Sequence, residues 1–124
     1  MKSAQSPVRA NDNRIGGYLS IEEHAAFKEY AASLQLGVSA LASLLIEREI
    51  RVVRLAKLAE TYRRHLPLSR RRRITAKPQL DGCKAVFDVH VRKLDLSPDA
   101  GAGILFRAEL TERWLERSVL MEST

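Results

Sequence analysis

The feature that most limits what this 124-residue chain can fold into is a repeat of its own first half at a spacing of sixty residues. Ala25/Ala85, Phe27/Phe87, Leu34/Leu94, Leu36/Leu96, Ala40/Ala100, Ala42/Ala102, Leu45/Leu105, Glu49/Glu109 and Leu55/Leu115 are identical across that shift. Leu36 and Leu96 sit just before the start of each second helix, so the interruptions match as well as the apolar positions. Each half reads strand, helix, short break, helix. A lone strand and two short helices cannot bury their apolar faces, so the two copies must complete one another.

Local signals give the elements. Residues 1–13 lack periodicity and read as a flexible arm. Arg14–Leu19 reads as a strand, and Ser20 is an N-cap with Glu22 and Glu23 in the first helical turn. Apolar spacing predicts a helix over 21–34 and a longer one from Val38 to Leu66, where Pro67 stops it. Ile74, Ala76, Pro78 and Leu80 then alternate with Arg73, Thr75, Lys77 and Gln79, which predicts a second strand. Helices over 82–94 and from Ser97-Pro98-Asp99 to about Leu120 complete the chain. Val86–Val91 could form either a strand or a helix on pattern alone, and the repeat favours helix.

Several classes are excluded on chemistry. One cysteine, Cys83, permits neither an internal disulfide nor a cysteine-rich zinc site, and the three histidines have no metal-ligand spacing. No apolar run approaches the ~18 residues of a membrane span, and the N-terminus lacks the apolar core of a secretory signal. The expectation is a cytoplasmic protein with no membrane, metal or cofactor requirement. No paired nucleophile and base or phosphate loop appears, so an enzyme is not expected. The net charge of +6 is concentrated: Arg48–Lys77 holds eleven basic residues against Glu49 and Glu60, a net +9. Clustered cations favour a polyanionic partner through counterion release, although a solvated helix face and linker would look the same.

Arg14-Ile15-Gly16-Gly17-Tyr18-Leu19-Ser20, with Glu22 and Glu23, a helix patterned in Ala, Phe, Tyr and Leu, and Leu36-Gly37-Val38-Ser39-Ala40 opening a Leu-rich helix, resembles the ribbon-helix-helix DNA-binding family. Two copies in one chain resemble its tandem members, such as TraY-like relaxosome accessory proteins. The resemblance implies a mainly α pseudo-dimer with four helices and one two-stranded antiparallel β-ribbon, which enters the DNA major groove. Its parts would be copy one at 14–66, a basic linker at 67–72 and copy two at 73–120. It also implies that Leu19 and Leu80 close the strands inward. Arg14, Gly16 and Tyr18 of strand one would then read bases together with Thr75, Lys77 and Gln79 of strand two. Gly16 departs from a polar reader and would only permit close approach. Gly37, Val38 and Ser39 would bind phosphate at a helix start, aided by Arg70, Arg71, Arg72 and Arg73. At the related Ser97-Pro98-Asp99, Pro98 lacks an N–H and Asp99 repels phosphate. Simple capping remains an alternative at both helix starts, as does an ordinary hairpin surface for the six strand residues.

The remaining singled-out residues read as structural. Cys83, Phe27, Phe87 and Trp114 have the spacing of core or interface positions, and His90 that of a satisfied structural histidine. Gly101 and Gly103 suggest a close helix crossing. The leading expectation is therefore a sequence-specific double-stranded DNA binder with an asymmetric target, acting as a monomeric pseudo-dimer that could assemble further on DNA. Its role would be that of an accessory factor at a plasmid transfer origin. Alternatives are a transcriptional repressor, or an adaptor that recruits a relaxase or secretion component.

Overall fold

Strand and helix meet at Ser20. In the computed structural model of the chain, which describes residues 13–117, strand β1 (Ile15–Ser20) runs directly into helix α1 (Ile21–Ser33). Ser20 Oγ accepts the Glu23 amide at 3.0 Å, and the Glu23 carboxylate accepts the Ser20 amide at 2.9 Å. This reciprocal box satisfies two N–H groups that the helix start would otherwise leave bare. There follow α2 (Val38–Arg51), α3 (Leu55–Tyr62), a 3-10 turn (Leu68–Arg70), β2 (Arg71–Ala76), α4 (Cys83–Lys93) and α5 (Pro98–Glu112). The protein is mainly helical with one two-stranded antiparallel sheet. No single helix is long and apolar enough to cross a membrane.

The described residues hold five α-helices where four were expected, because a carboxylate interrupts the first long one. Glu49 is only 2% exposed. It accepts the amides of Arg54 at 3.0 Å and Leu55 at 2.8 Å, which caps a new helix instead of letting α2 continue through Val52 and Val53. The second half breaks in the same way. Glu109 accepts the Leu115 amide at 2.8 Å, and α5 ends at Glu112 with Arg113 in a left-handed conformation (φ 52°). A helical turn over 114–117 follows, so the expected helix to Leu120 is also broken. Residues 118–120, like 1–12 of the expected arm, lie outside the described residues.

In the helices the repeat is geometric as well as textual. Gln35 and Asp95 both adopt left-handed φ, 62° and 61°. The Leu36 amide donates to Ala31 O at 2.9 Å, and the Leu96 amide donates to Val91 O at 3.0 Å. These are equivalent helix-ending turns. The copies then interlock through their buried carboxylates. Tyr30 OH donates to Glu109 at 2.6 Å, and at the related position His90 Nε2 lies 2.7 Å from Glu49. A side chain on the first helix of each copy thus meets the carboxylate on the second helix of the other. Burial, with Glu109 beside it, pushes the Tyr30 phenol well above its ordinary range.

Strand two does not follow the sixty-residue shift. The expected strand over 74–80 is displaced: β2 spans Arg71–Ala76 and pairs with β1 so that Ile15 faces Ala76 and Tyr18 faces Arg73. Ile74 and Ala76, rather than Leu80, close the inner face with Ile15 and Leu19. Leu80 lies beyond the strand and is 50% exposed. The cause is local. β1 passes straight into α1, whereas residues 77–82 intervene between β2 and α4.

Under the ribbon lie Phe27, Leu41, Leu45, Ile46, Phe87, Ile104, Leu105 and Phe106, with the Phe27 and Phe106 rings 5.4 Å apart. Cys83 is buried, and burial, with Glu47 nearby, pushes its thiol up to about 11. Trp114 corrects a core expectation: it is 39% exposed, with the Arg54 guanidinium 4.1 Å above its ring. Gly103 serves a helix–strand approach instead of a helix crossing. A Cβ on it would come within 2.9 Å of Tyr18 O, and one on Gly17 within 2.9 Å of the Gly103 amide.

Ala at either glycine therefore has no room. Gly17→Ala and Gly103→Ala are each expected to lower unfolding free energy by about 1–3 kcal/mol, although Ala normally favours a helix over Gly by ~1 kcal/mol. Urea titration checks this, and an unchanged midpoint for Gly103→Ala would contradict the packing. Tyr30→Phe strips a donor from the buried Glu109 carboxylate. It is expected to cost about 1–3 kcal/mol with an unchanged denaturant slope.

Candidate nucleic-acid interface

A two-stranded ribbon has two faces, and alternation assigns each residue to one of them. The inner face of β1–β2 is apolar and packed against the helices. The outer face pairs Gly16 with Thr75, Tyr18 with Arg73 and Ser20 with Arg71. Tyr18 organises it. The Arg71 guanidinium stacks 4.0 Å over the phenol ring, and Arg73 Nη1 donates to the Tyr18 hydroxyl at 3.1 Å. Such cation–π stacking keeps two arginines extended along the ribbon at modest entropic cost. Neither arginine pairs with a carboxylate among the described residues.

Of the six expected base readers, Tyr18 and Thr75 lie on this outer face. Gly16 lies there too, but the Arg73 guanidinium covers it, so it is buried rather than open. Arg14 precedes β1 and is exposed. Lys77 and Gln79 are off the strand. Their amides donate to Ser43 Oγ and to the Glu47 carboxylate, both at 2.7 Å, which lays the chain leaving β2 along α2. Arg71 and Arg73, expected at phosphates, belong to the strand itself. Arg70 ends the 3-10 turn, and Arg72 is exposed opposite Leu19. The sequence carried a signal for Arg73, since it alternates in phase with Thr75. Arg71 is in the same phase, but the strand was expected to begin only at Arg73.

At the start of α2, Gly37 is the N-cap and provides no side-chain cap, so the first-turn N–H groups of Val38 and Ser39 lack one. The Ser39 hydroxyl proton is already committed, since it donates to Thr75 O at 2.8 Å. At α5 the N-cap is closed: Ser97 Oγ accepts the Ala100 amide at 3.1 Å, ahead of Pro98 and Asp99. The α2 start can therefore offer backbone donors to an anion, whereas the α5 start is self-satisfied. Among the described residues no group of His, Cys, Asp and Glu could hold a metal ion.

Sequence reasoning missed Arg63, Arg64 and His65. With Leu66 they line a cleft of about 550 Å³ beside Tyr18, Arg71 and the first turns of α5. The expected helix ran over them to Leu66, but it ends at Tyr62, so they belong to a connector. The cleft floor is Arg107, whose Nε donates to Glu23 at 2.8 Å and whose Nη1 donates to Tyr62 O at 2.8 Å. Burial alone would raise the Glu23 carboxyl. The hydrogen bonds from Arg107 and Ser20, with the charge of Arg107, outweigh it and hold the group below its ordinary value.

Gly16→Ala separates the ribbon's surface chemistry from its stability. The added methyl displaces only the flexible end of Arg73, so the unfolding midpoint should hold to within about 0.5 kcal/mol, as for most surface changes. Loss of the Arg73–Tyr18 hydrogen bond should then show as a changed Tyr18 fluorescence or NMR signal without unfolding. The chain matches no family model, no curated protein and no solved structure.

Proposed function

We propose that the protein binds double-stranded DNA by laying the outer face of its β-ribbon in the major groove. The observation that carries this reading is the ribbon's division: an apolar inner face buried on the helices, and an outer face bearing Tyr18, Arg71, Arg73 and Thr75, whose arginines pair with no carboxylate among the described residues. A major groove ~12 Å wide admits a two-stranded ribbon. Arg73 suits guanine O6 and N7, and Thr75 suits a thymine methyl or a hydroxyl contact. Lys77 is exposed just past the end of β2, and the uncapped start of α2 offers backbone N–H groups to a phosphate. This is the tandem ribbon-helix-helix arrangement, a monomer acting as its own dimer. Because the two strands differ, the target should be asymmetric, unlike the palindrome read by a symmetric dimer.

The biological role we favour is an accessory factor at a plasmid transfer origin, with transcriptional repression as the alternative. The protein would act by binding and not by catalysis. A second reading, an adaptor for a relaxase or secretion component, has one observation in its favour. Val53, Val86 and Val89 are each more than half exposed around a cleft of about 460 Å³ beside Glu49 and His90.

Selection from a random duplex library tests the first reading. A defined sequence should be enriched, and affinity should fall steeply with salt. Arg73→Ala should cost about 1–3 kcal/mol and relax preference at one position. Selection that enriches nothing, together with salt-independent binding, would leave the adaptor.

A further inference from the structure

The ribbon's two exits are built differently, and among the described residues a cleft opens at one of them. Beyond β2, residues 77–79 run along α2, held by Ser43 and Glu47. On α5 the repeat-related positions are Gly103 and Arg107. Among the described residues no segment leaving β1 runs along α5 in this way, because β1 turns into α1 at once. The cleft of about 550 Å³ opens in that place, between α5, the ribbon and the connector that follows α3. Arg107 fixes the connector's origin through Tyr62 O.

The cleft is strongly cationic at its mouth. Arg63, Arg64 and His65 are exposed on one wall, Arg71 comes from the ribbon, and Asp99 is the only carboxylate lining it among the described residues. None of Arg63, Arg64 and Arg71 has a carboxylate partner among the described residues. Arg64 Nη1 donates to Thr61 O at 3.1 Å and to Arg63 O at 3.0 Å, which orders its guanidinium against the connector backbone. The helix start beside them supplies no anion site, since Ser97 caps it and Pro98 lacks an N–H. Guanidinium groups from the connector and the ribbon supply the charge instead, and their planar forks match phosphate oxygens.

We propose that this cleft receives a backbone phosphate of the duplex that the ribbon binds, at the α5 end alone. The proposal rests on the reading of the ribbon as a DNA reader and adds to it a direction. One flank of the target would be held by backbone N–H groups at α2, and the other by Arg63, Arg64 and Arg71. Two unlike grips would give the protein a single orientation on an asymmetric site.

The test uses the full chain and a duplex enriched by selection. Arg63→Ala/Arg64→Ala should weaken binding about tenfold and flatten the slope of log K against log salt by about 1–2, as expected for one or two lost phosphate contacts. The unfolding midpoint should not move, since both side chains are exposed. Neutral methylphosphonate linkages placed on one flank at a time should impair the wild type on both flanks. The double variant should be insensitive on the α5 flank only. An unchanged salt slope, or equal sensitivity of the variant to both flanks, would overturn the cleft assignment while duplex binding itself stands. Saturable binding of free ATP that the double variant loses, with its duplex slope unchanged, would assign the cleft to a nucleotide and overturn the backbone reading. Absence of wild-type duplex binding at any salt would overturn the ribbon reading and this inference together.

Discussion

Two buried carboxylates hold the halves of this protein to one another. Glu49 and Glu109 each sit almost wholly out of water, where an ionised group is costly unless it is fully hydrogen-bonded. Each accepts from its own copy, through the amide six residues further along (and, for Glu49, the Arg54 amide), and meets the other copy, Glu109 through Tyr30 and the Arg48 guanidinium at 2.9 Å and Glu49 through His90. The same contacts end one helix, begin the next and join the copies. Removing either carboxylate's partner would therefore disturb local structure and the pairing at once.

The ribbon follows from that pairing. Two strands alone are marginal, and here they are held because Ile15, Leu19, Ile74 and Ala76 complete a core supplied by helices of both copies. The Gly17–Gly103 contact brings α5 hard against β1. With one face committed to the core, the polar set is forced outward. Tyr18 then acts as a bracket that keeps Arg71 and Arg73 side by side. The asymmetry between the ribbon's ends has an equally simple origin, since residues 77–82 have no counterpart between β1 and α1.

Legibility in the sequence tracked how local each interaction is. The starts and ends of α1 and α4, and the starts of α2 and α5, were readable from caps and from a 3.6-residue apolar period. The identity of Glu49 and Glu109 was visible in the repeat, but nothing in it said that they would be buried, or that each would cap a following helix. Strand two was misplaced because the shift that relates the helices does not relate the strands. Leu80, apolar and in phase, read as an inward residue, yet it lies past the strand end in the longer connection. Trp114 has core spacing, but the break after Glu112 turns it to the surface beneath Arg54.

By itself the sequence determined that a helix–break–helix pattern occurs twice in one chain, where α1, α2, α4 and α5 begin, and that cationic charge gathers around the second strand. Those properties depend on neighbours within a turn or two, which the order of residues states directly. Only the tertiary structure decided which arginines share a face with Tyr18, since that pairing joins positions 55 residues apart and a one-residue change of register would reverse every side chain. It also decided that, among the described residues, one end of the ribbon is filled and the other open, because the chain leaving β2 runs along α2 whereas β1 turns at once into α1.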